Sequence, residues 1–345
     1  MIILDDRTEF FAIVQDSLEI VNDMPNLDEV KEAIKSNESE EADSVDQQLT
    51  MNGATLIEQI NRQKKEIEDE VRKEQALIAQ KESINVLLNE YDRDKSAEYY
   101  QKSKELAKVY SSLRRIRGDG CCFYQALLCA QLESILNDAD ELIRFTKVCK
   151  EWRHRLTKLG FQNSLRMIFV IGYNFFTESQ HFKRFDELLD DIAAAKYNED
   201  LLVEALNEEG RSNYYVTFFR LITSGYLREN AADYEGFIDG GRTMEQFCQS
   251  EIEPMFKDCD HLAIIALTKA IGEIWVTKKF IFPFTDSVKQ EAALTSWWKV
   301  SIRIEYMDRT AAPHHGWFYD FIVDKKLPKH FFLYRPGHYD IIYKA

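Results

Sequence analysis

Gly118-Asp119-Gly120-Cys121-Cys122-Phe123-Tyr124-Gln125-Ala126 marks the point where glycine punctuation gives way to an apolar pattern. Phe123, Ala126, Leu127, Leu128, Leu132, Ile135 and Leu136 recur at the spacing of an amphipathic helix that begins near Cys122. A thiol in the first turn of a helix feels the positive end of the macrodipole and unpaired backbone N–H groups, so a depressed Cys122 pKa is expected. The same N–H groups, with the loop from Gly118 to Cys121, are placed to cradle a tetrahedral oxyanion. Cys121 belongs to the turn.

The end of the chain is as legible. Phe331 to Tyr334 and His338 to Tyr343 are β-prone runs joined by Pro336-Gly337, the pair favoured at the centre of a type II turn, which predicts a terminal hairpin. Alternation along a strand puts His338, Asp340 and Ile342 on one face and Tyr339, Ile341 and Tyr343 on the other. A carboxylate two residues from an imidazole on the same face can fix its tautomer and stabilise an imidazolium. Thiol, imidazole and carboxylate are the set a cysteine hydrolase needs.

These two blocks resemble the catalytic blocks of the otubain branch of the OTU deubiquitinases. Between them, Phe219 to Leu227, Gly240-Gly241-Arg242-Thr243, Glu251 to Met255, Asp260-His261 and Ile304 to Arg309 are similar to that family in the same order. By this resemblance Cys122 is the nucleophile, His338 the general base, Asp340 the carboxylate that orients it, and Asp119 the acidic residue of the loop around the oxyanion site. It implies hydrolysis of isopeptide bonds between a ubiquitin C-terminus and a lysine amine through an acyl-enzyme thioester, without metal or organic cofactor. It further implies preference for chains linked through lysine forty-eight of ubiquitin, and a papain-like α+β fold. Partners would be ubiquitin, polyubiquitin and, through an N-terminal arm, ubiquitin-conjugating enzymes. The alternative is a binding module that restrains a conjugating enzyme without hydrolysis. Two positions depart from the pattern: Cys121 and Gln125 stand where otubains usually have asparagine and arginine, and a thiol replaces an amide's hydrogen bonds poorly.

Composition sets the outer limits. With 345 residues, 45% hydrophobic, the chain can bury a full core, and a net charge of −15 argues against a general nucleic-acid binder. No apolar run is long enough for a bilayer and no secretory signal opens the sequence, so reduced thiols in cytoplasm or nucleus are expected for the six cysteines. Cys248, Cys259 and His261 lack the paired spacing of a zinc site.

Residues 1–54 include the acidic run from Glu38 to Ser44, too poor in apolar side chains to order itself, and are expected to be a disordered extension. Residues 55–95 are expected to form a helical arm, with a charged helix from Leu56 to Ile78 whose apolar seam is thin, and 96–345 the catalytic domain. Ser96 to Arg115 reads as a second helix, the long middle as helical, and the strands gather near the end, giving a mostly helical α+β domain with a small sheet. Within it, 166–180 and the aromatic-rich 272–299 exceed what the family explains. An inserted docking surface and translated intron sequence are both consistent with them.

Overall fold

The computed structural model describes residues 73–161, 178–238, 240–272, 300–307, 318–321 and 327–345, together with Arg62. The chain divides into two units, Met1–Gln75 and Ala76–Ala345, and almost all described residues lie in the second.

The glycine-to-apolar switch at Cys122 is where a helix starts. This helix, here α3 (Cys122–Leu136), is flanked in sequence by β1 (Ile78–Ser83), α1 (Leu87–Glu90), α2 (Ala97–Val109) and β2 (Tyr110–Ile116) before it. After it come α4 (Ala139–Lys158), α5 (Glu178–Ala193), α6 (Glu199–Leu206), α7 (Glu209–Glu229), α8 (Ala231–Tyr234), α9 (Met244–Phe247) and α10 (His261–Gly272). A short π-helical turn, Cys248–Ile252, follows α9. The strands β3 (Ile302–Tyr306), β4 (Phe318–Phe321), β5 (His330–Arg335) and β6 (His338–Lys344) close the chain.

The strands form one mixed six-stranded sheet in the order β1-β2-β6-β5-β3-β4, antiparallel except where β3 runs parallel to β5. The α+β expectation holds, with four of the six strands from the C-terminal part. Pro336-Gly337 turns β5 into β6 with Gly337 at φ +71°, and Arg335 pairs with His338. Antiparallel pairing with β2 and β5 puts β6 inside the sheet, so the strand that carries His338 and Asp340 has no free edge.

Both faces of the sheet are covered, and the alternation along β5 and β6 sorts their side chains accordingly. Phe332, Tyr339 and Ile341 join the main core with α3, α4, α7 and α10, whereas Phe331, Leu333 and Ile342 join a smaller core with Ile84, Leu87, Leu106, Tyr110 and Leu113. Helix α3 is buried on almost every side, not on one stripe, as suits a helix at the centre of its domain. Phe123 meets Phe332 and Tyr339 edge-on at 6.0 and 5.2 Å, fixing the start of α3 against the hairpin. Burying such a ring is worth roughly 2–3 kcal/mol.

Two sequence expectations need correction. Ser96 to Arg115 is not one helix: α2 ends at Val109 and Tyr110–Ile116 is strand, because ladders on both sides, to β1 and to β6, outweigh the helical spacing of Tyr110 and Leu113. Residues 78–95, assigned to a helical arm, instead supply β1 and α1, since Ile84 and Leu87 cover the second face of the sheet. The extension 1–54, most of the Leu56 to Ile78 helix, and nearly all of 166–180 and 272–299 lie outside the described residues. Among the described residues no helix is long and apolar enough to cross a membrane.

Candidate active site

Cys122 opens α3, with Cys121 at the N-cap contributing no side-chain cap. The preceding turn is held instead by Asp119, whose Oδ1 accepts the Cys121 N–H at 3.0 Å. Its Oδ2 accepts from Arg117 Nε at 3.1 Å and from Gln125 Nε2 at 3.4 Å. Asp119 is therefore a brace inside the loop, and Gln125, buried on the next turn of α3, completes it.

A second brace comes from α7. Arg220, fully buried, donates through Nη2 to the carbonyl of Gly120 (2.9 Å), to Lys257 O (2.5 Å) and to Cys121 Sγ (3.4 Å), and through Nη1 to Ile252 O (3.1 Å). Its guanidinium also lies over the Tyr124 ring at 4.4 Å. The Cys121 thiol accepts from the Phe256 N–H as well, at 3.3 Å. Cys121 is thus a buried acceptor knitting the turn to the 252–257 loop, which is what occupies the place where asparagine was expected.

The hairpin delivers the other groups. His338 Nε2 lies 2.9 Å from Asp340 Oδ1, which also accepts the Ile116 N–H at 2.9 Å, and Arg335 Nη2 bonds Asp340 Oδ2. Burial alone would raise the Asp340 carboxyl, but the facing charges of His338 and Arg335 and the Ile116 N–H outweigh it and hold it well below the usual carboxylate range. With Asp340 anionic we assign the shared proton to Nε2, which leaves Nδ1 as the basic nitrogen. Nδ1 faces Gly118, where a Cβ would stand only 3.4 Å away.

The Cys122 thiol rests against this same strand. Tyr339, between His338 and Asp340, donates its backbone N–H to it. The expectation of a depressed thiol is not met: burial pushes it well above the ordinary cysteine value, and the negative charges of Asp258 and Asp119 add to that, against the Tyr339 N–H. A helix N-terminus stabilises a thiolate only partly when the residue is 5% exposed in an apolar core. Among the described residues no hydrogen bond joins Cys122 to His338.

The four residues picked from the sequence are thus brought close together, Asp119 in the turn, Cys122 at the start of α3, and His338 and Asp340 on the hairpin. Three charged residues were missed as contributors: Arg220, Arg335 and Glu90, which bonds Arg335. The first two had a signal. Arg220 is a lone charge within Phe218-Phe219-Arg220-Leu221-Ile222, and Arg335 begins the turn that leads to His338. Glu90 had none.

The Peptidase C65 Otubain family model matches residues 69–277 and 284–344. The chain belongs to this family. Among otubain relatives, the ubiquitin thioesterase otubain-like protein of Caenorhabditis elegans is 40% identical over 286 residues, covering 82% of this chain and 87% of that protein. The Homo sapiens ubiquitin thioesterase OTUB1 is 35% identical over 291 residues, covering 83% and 90%. The otubain fold extends to solved structures: the h/ceOTUB1–ubiquitin aldehyde–UBC13~Ub complex has a chain 38% identical, with a TM-score of 0.69 over 84% of this chain and 99% of that one. A second complex, of ceOTUB1 with ubiquitin aldehyde and UBC13~Ub, gives a TM-score of 0.68 at 39% identity.

Proposed function

We propose that this otubain-family deubiquitinase hydrolyses the isopeptide bond between a ubiquitin C-terminus and a lysine amine, with Cys122 as nucleophile, His338 as general base and Asp340 as its orienting carboxylate. The observation that carries this reading is the convergence of a thiol at the start of α3 with the strand that holds the His338–Asp340 pair. Because burial keeps the resting thiol protonated, the imidazole must take its proton as sulfur attacks. Attack of Sγ on the carbonyl carbon transfers the thiol proton to Nδ1 and places negative charge on the carbonyl oxygen. The backbone N–H groups at the start of α3, which Cys122 opens, are the donors this reading assigns to that oxyanion. Collapse breaks the C–N bond, the lysine amine leaves with the proton from Nδ1, and a thioester links ubiquitin to Cys122. Water, deprotonated by the same imidazole, then releases the ubiquitin carboxylate and the thiol. Asp340 stabilises the imidazolium in both halves. In this reading Asp119 holds the loop and does not touch the oxyanion, beside which a carboxylate would be unfavourable.

Relatives named ubiquitin thioesterases and neighbours solved with ubiquitin aldehyde support ubiquitin as the acyl group. The preference for lysine-forty-eight linkages rests on the family resemblance. Ubiquitin-conjugating enzymes are proposed as further partners, since neighbouring structures hold UBC13~Ub and UBCH5B~Ub. Those complexes also favour the second reading, restraint of a conjugating enzyme without hydrolysis. Reaction with ubiquitin bearing a thiol-reactive C-terminal group separates the two. Labelling of wild type and Cys121→Ala but not Cys122→Ala is expected; a folded wild type that takes no label would leave the binding reading in front. Loss of conjugating-enzyme restraint on deleting residues 1–75, with labelling kept, would assign that restraint to the arm.

A further inference from the structure

Asp340 spends one carboxylate oxygen on His338 and Ile116, and the other on a guanidinium that reaches it from the partner strand of its own hairpin. That guanidinium, Arg335, is buried, and its Nη1 bonds Glu90 Oε2 at 3.4 Å. Glu90, half-buried at the end of α1, is bonded through Oε1 to Arg115 on β2, whose Nε is paired with Glu82 at 2.6 Å. A row of alternating charge therefore runs Arg115, Glu90, Arg335, Asp340, His338, drawn from four elements. The mechanism above uses only its last two members.

We propose that Arg335 and Glu90 are positioning residues for the His338 base: Arg335 anchors and partly neutralises Asp340, and Glu90 sets how much of the Arg335 charge Asp340 receives. This inference rests on the catalytic reading of His338 and deepens it. Physically, an imidazolium beside a bare carboxylate is over-stabilised and the base becomes sluggish near neutral pH. A carboxylate shared with a cation still holds the ring in place but stabilises its charged form less. Facing this group are Arg335 and Asp340 on the hairpin, Arg115 on β2, Glu90 and Tyr91 from the α1 segment, and Asp119 and Asp258 beside the thiol. Of these, Arg335 alone contacts Asp340 as a fixed cation, and Glu90 is the carboxylate bonded to Arg335 on its far side.

The two residues act with opposite sign, which a mere loss of packing would not do. The test is NMR titration of the His338 imidazole, assigned with His338→Gln, in the full chain and in Arg335→Gln, Arg335→Lys and Glu90→Gln. Removing the cation in Arg335→Gln is expected to raise the His338 pKa by about one unit. Arg335→Lys keeps the charge and is expected to restore most of the wild-type value. Glu90→Gln frees more of the Arg335 charge for Asp340 and is expected to lower the pKa by roughly half a unit. Shifts of the same sign in Arg335→Gln and Glu90→Gln, or none in either, overturn the proposal; a shift confined to Arg335→Gln removes Glu90 from it. Should Arg335→Gln fail to fold, Glu90→Gln decides by its sign, a fall supporting and anything else refuting. Probe labelling of Cys122 is read separately, so failure of the catalytic reading and failure of this inference leave different records.

Discussion

Gly120 is where the site tolerates least at the level of a single residue. Its φ is +74°, and a Cβ there would stand 2.6 Å from the backbone carbon and oxygen of Phe256. Two independent costs follow for any side chain: about 1–2 kcal/mol for the left-handed backbone and about 1–3 kcal/mol for overpacking against main chain that cannot move aside. Gly120→Ala is therefore expected to lose about 2–5 kcal/mol in urea unfolding and most of its ubiquitin-probe labelling. A variant as stable as wild type would contradict the close approach. The glycine itself was visible in the sequence, and so was the need for a tight turn before Cys122. What crowds it was not, because Phe256 belongs to a loop far along the chain, itself at φ +60°.

Among the elements, α7 does most to hold the turn, and it does so through one side chain. Arg220 reaches three carbonyls and the Cys121 sulfur from the middle of a helix whose neighbouring positions are nearly all buried. Replacing it by methionine keeps bulk but takes this donor from the three carbonyls and leaves Cys121 only the Phe256 N–H, at roughly 1–3 kcal/mol for each group that is left unpaired and that water cannot reach. Arg220→Met is expected to unfold at markedly lower urea than wild type, with Arg220→Lys in between because one ammonium cannot span both loops. In whichever variant still folds, kcat is expected to fall more than KM changes, since the contacts fix the turn beside the nucleophile and not a substrate surface. Equal stability of Arg220→Met and wild type would remove the clamp. The helical reading of the long middle holds here, since α7 runs from Glu209 to Glu229. The job of its arginine was hidden, for Gly120 and Arg220 are 100 residues apart.

For the whole molecule, burial of titratable groups between sheet and helices sets the response to acid. His330 sits at the start of β5, 5% exposed, its Nε2 3.0 Å from Gln131 Oε1, and burial together with the Lys329 charge lowers its pKa to about 4. Gln131 gives its Nε2 to Glu141, so its oxygen faces the ring and the neutral imidazole is the donor. The folded state then excludes a proton that the unfolded chain binds below about pH 6.5, and stability falls as pH drops from about 6.5 to about 4, by on the order of 3 kcal/mol. Asp340 acts in a lower window: its depressed carboxyl contributes stability above about pH 3.9 that is lost only in stronger acid. Urea unfolding at pH 7, 5.5 and 4.5 is expected to show the first slope in wild type and to lose most of it in His330→Gln. A flat wild-type profile would mean that His330 takes up its proton without unfolding.

What the sequence by itself determined were features written in short spacings. The glycine turn, the helix starting at Cys122, the Pro336-Gly337 hairpin and the shared face of His338 and Asp340 all depend on neighbours a few residues away. Tertiary structure decided the rest. Tyr110–Ile116 became strand because partners on both sides offered ladders, and residues 78–90 became part of the domain because the second face of the sheet needed covering. The Cys122 thiol stayed protonated because the core that closes over it outweighs the helix end that the sequence announced. Arg335 and Glu90, 245 residues apart, met only once β1, β2 and the hairpin were in one place. Local pattern fixes which atoms a short segment can present, whereas charge balance and solvent access depend on everything packed around them, and only the folded chain supplies that.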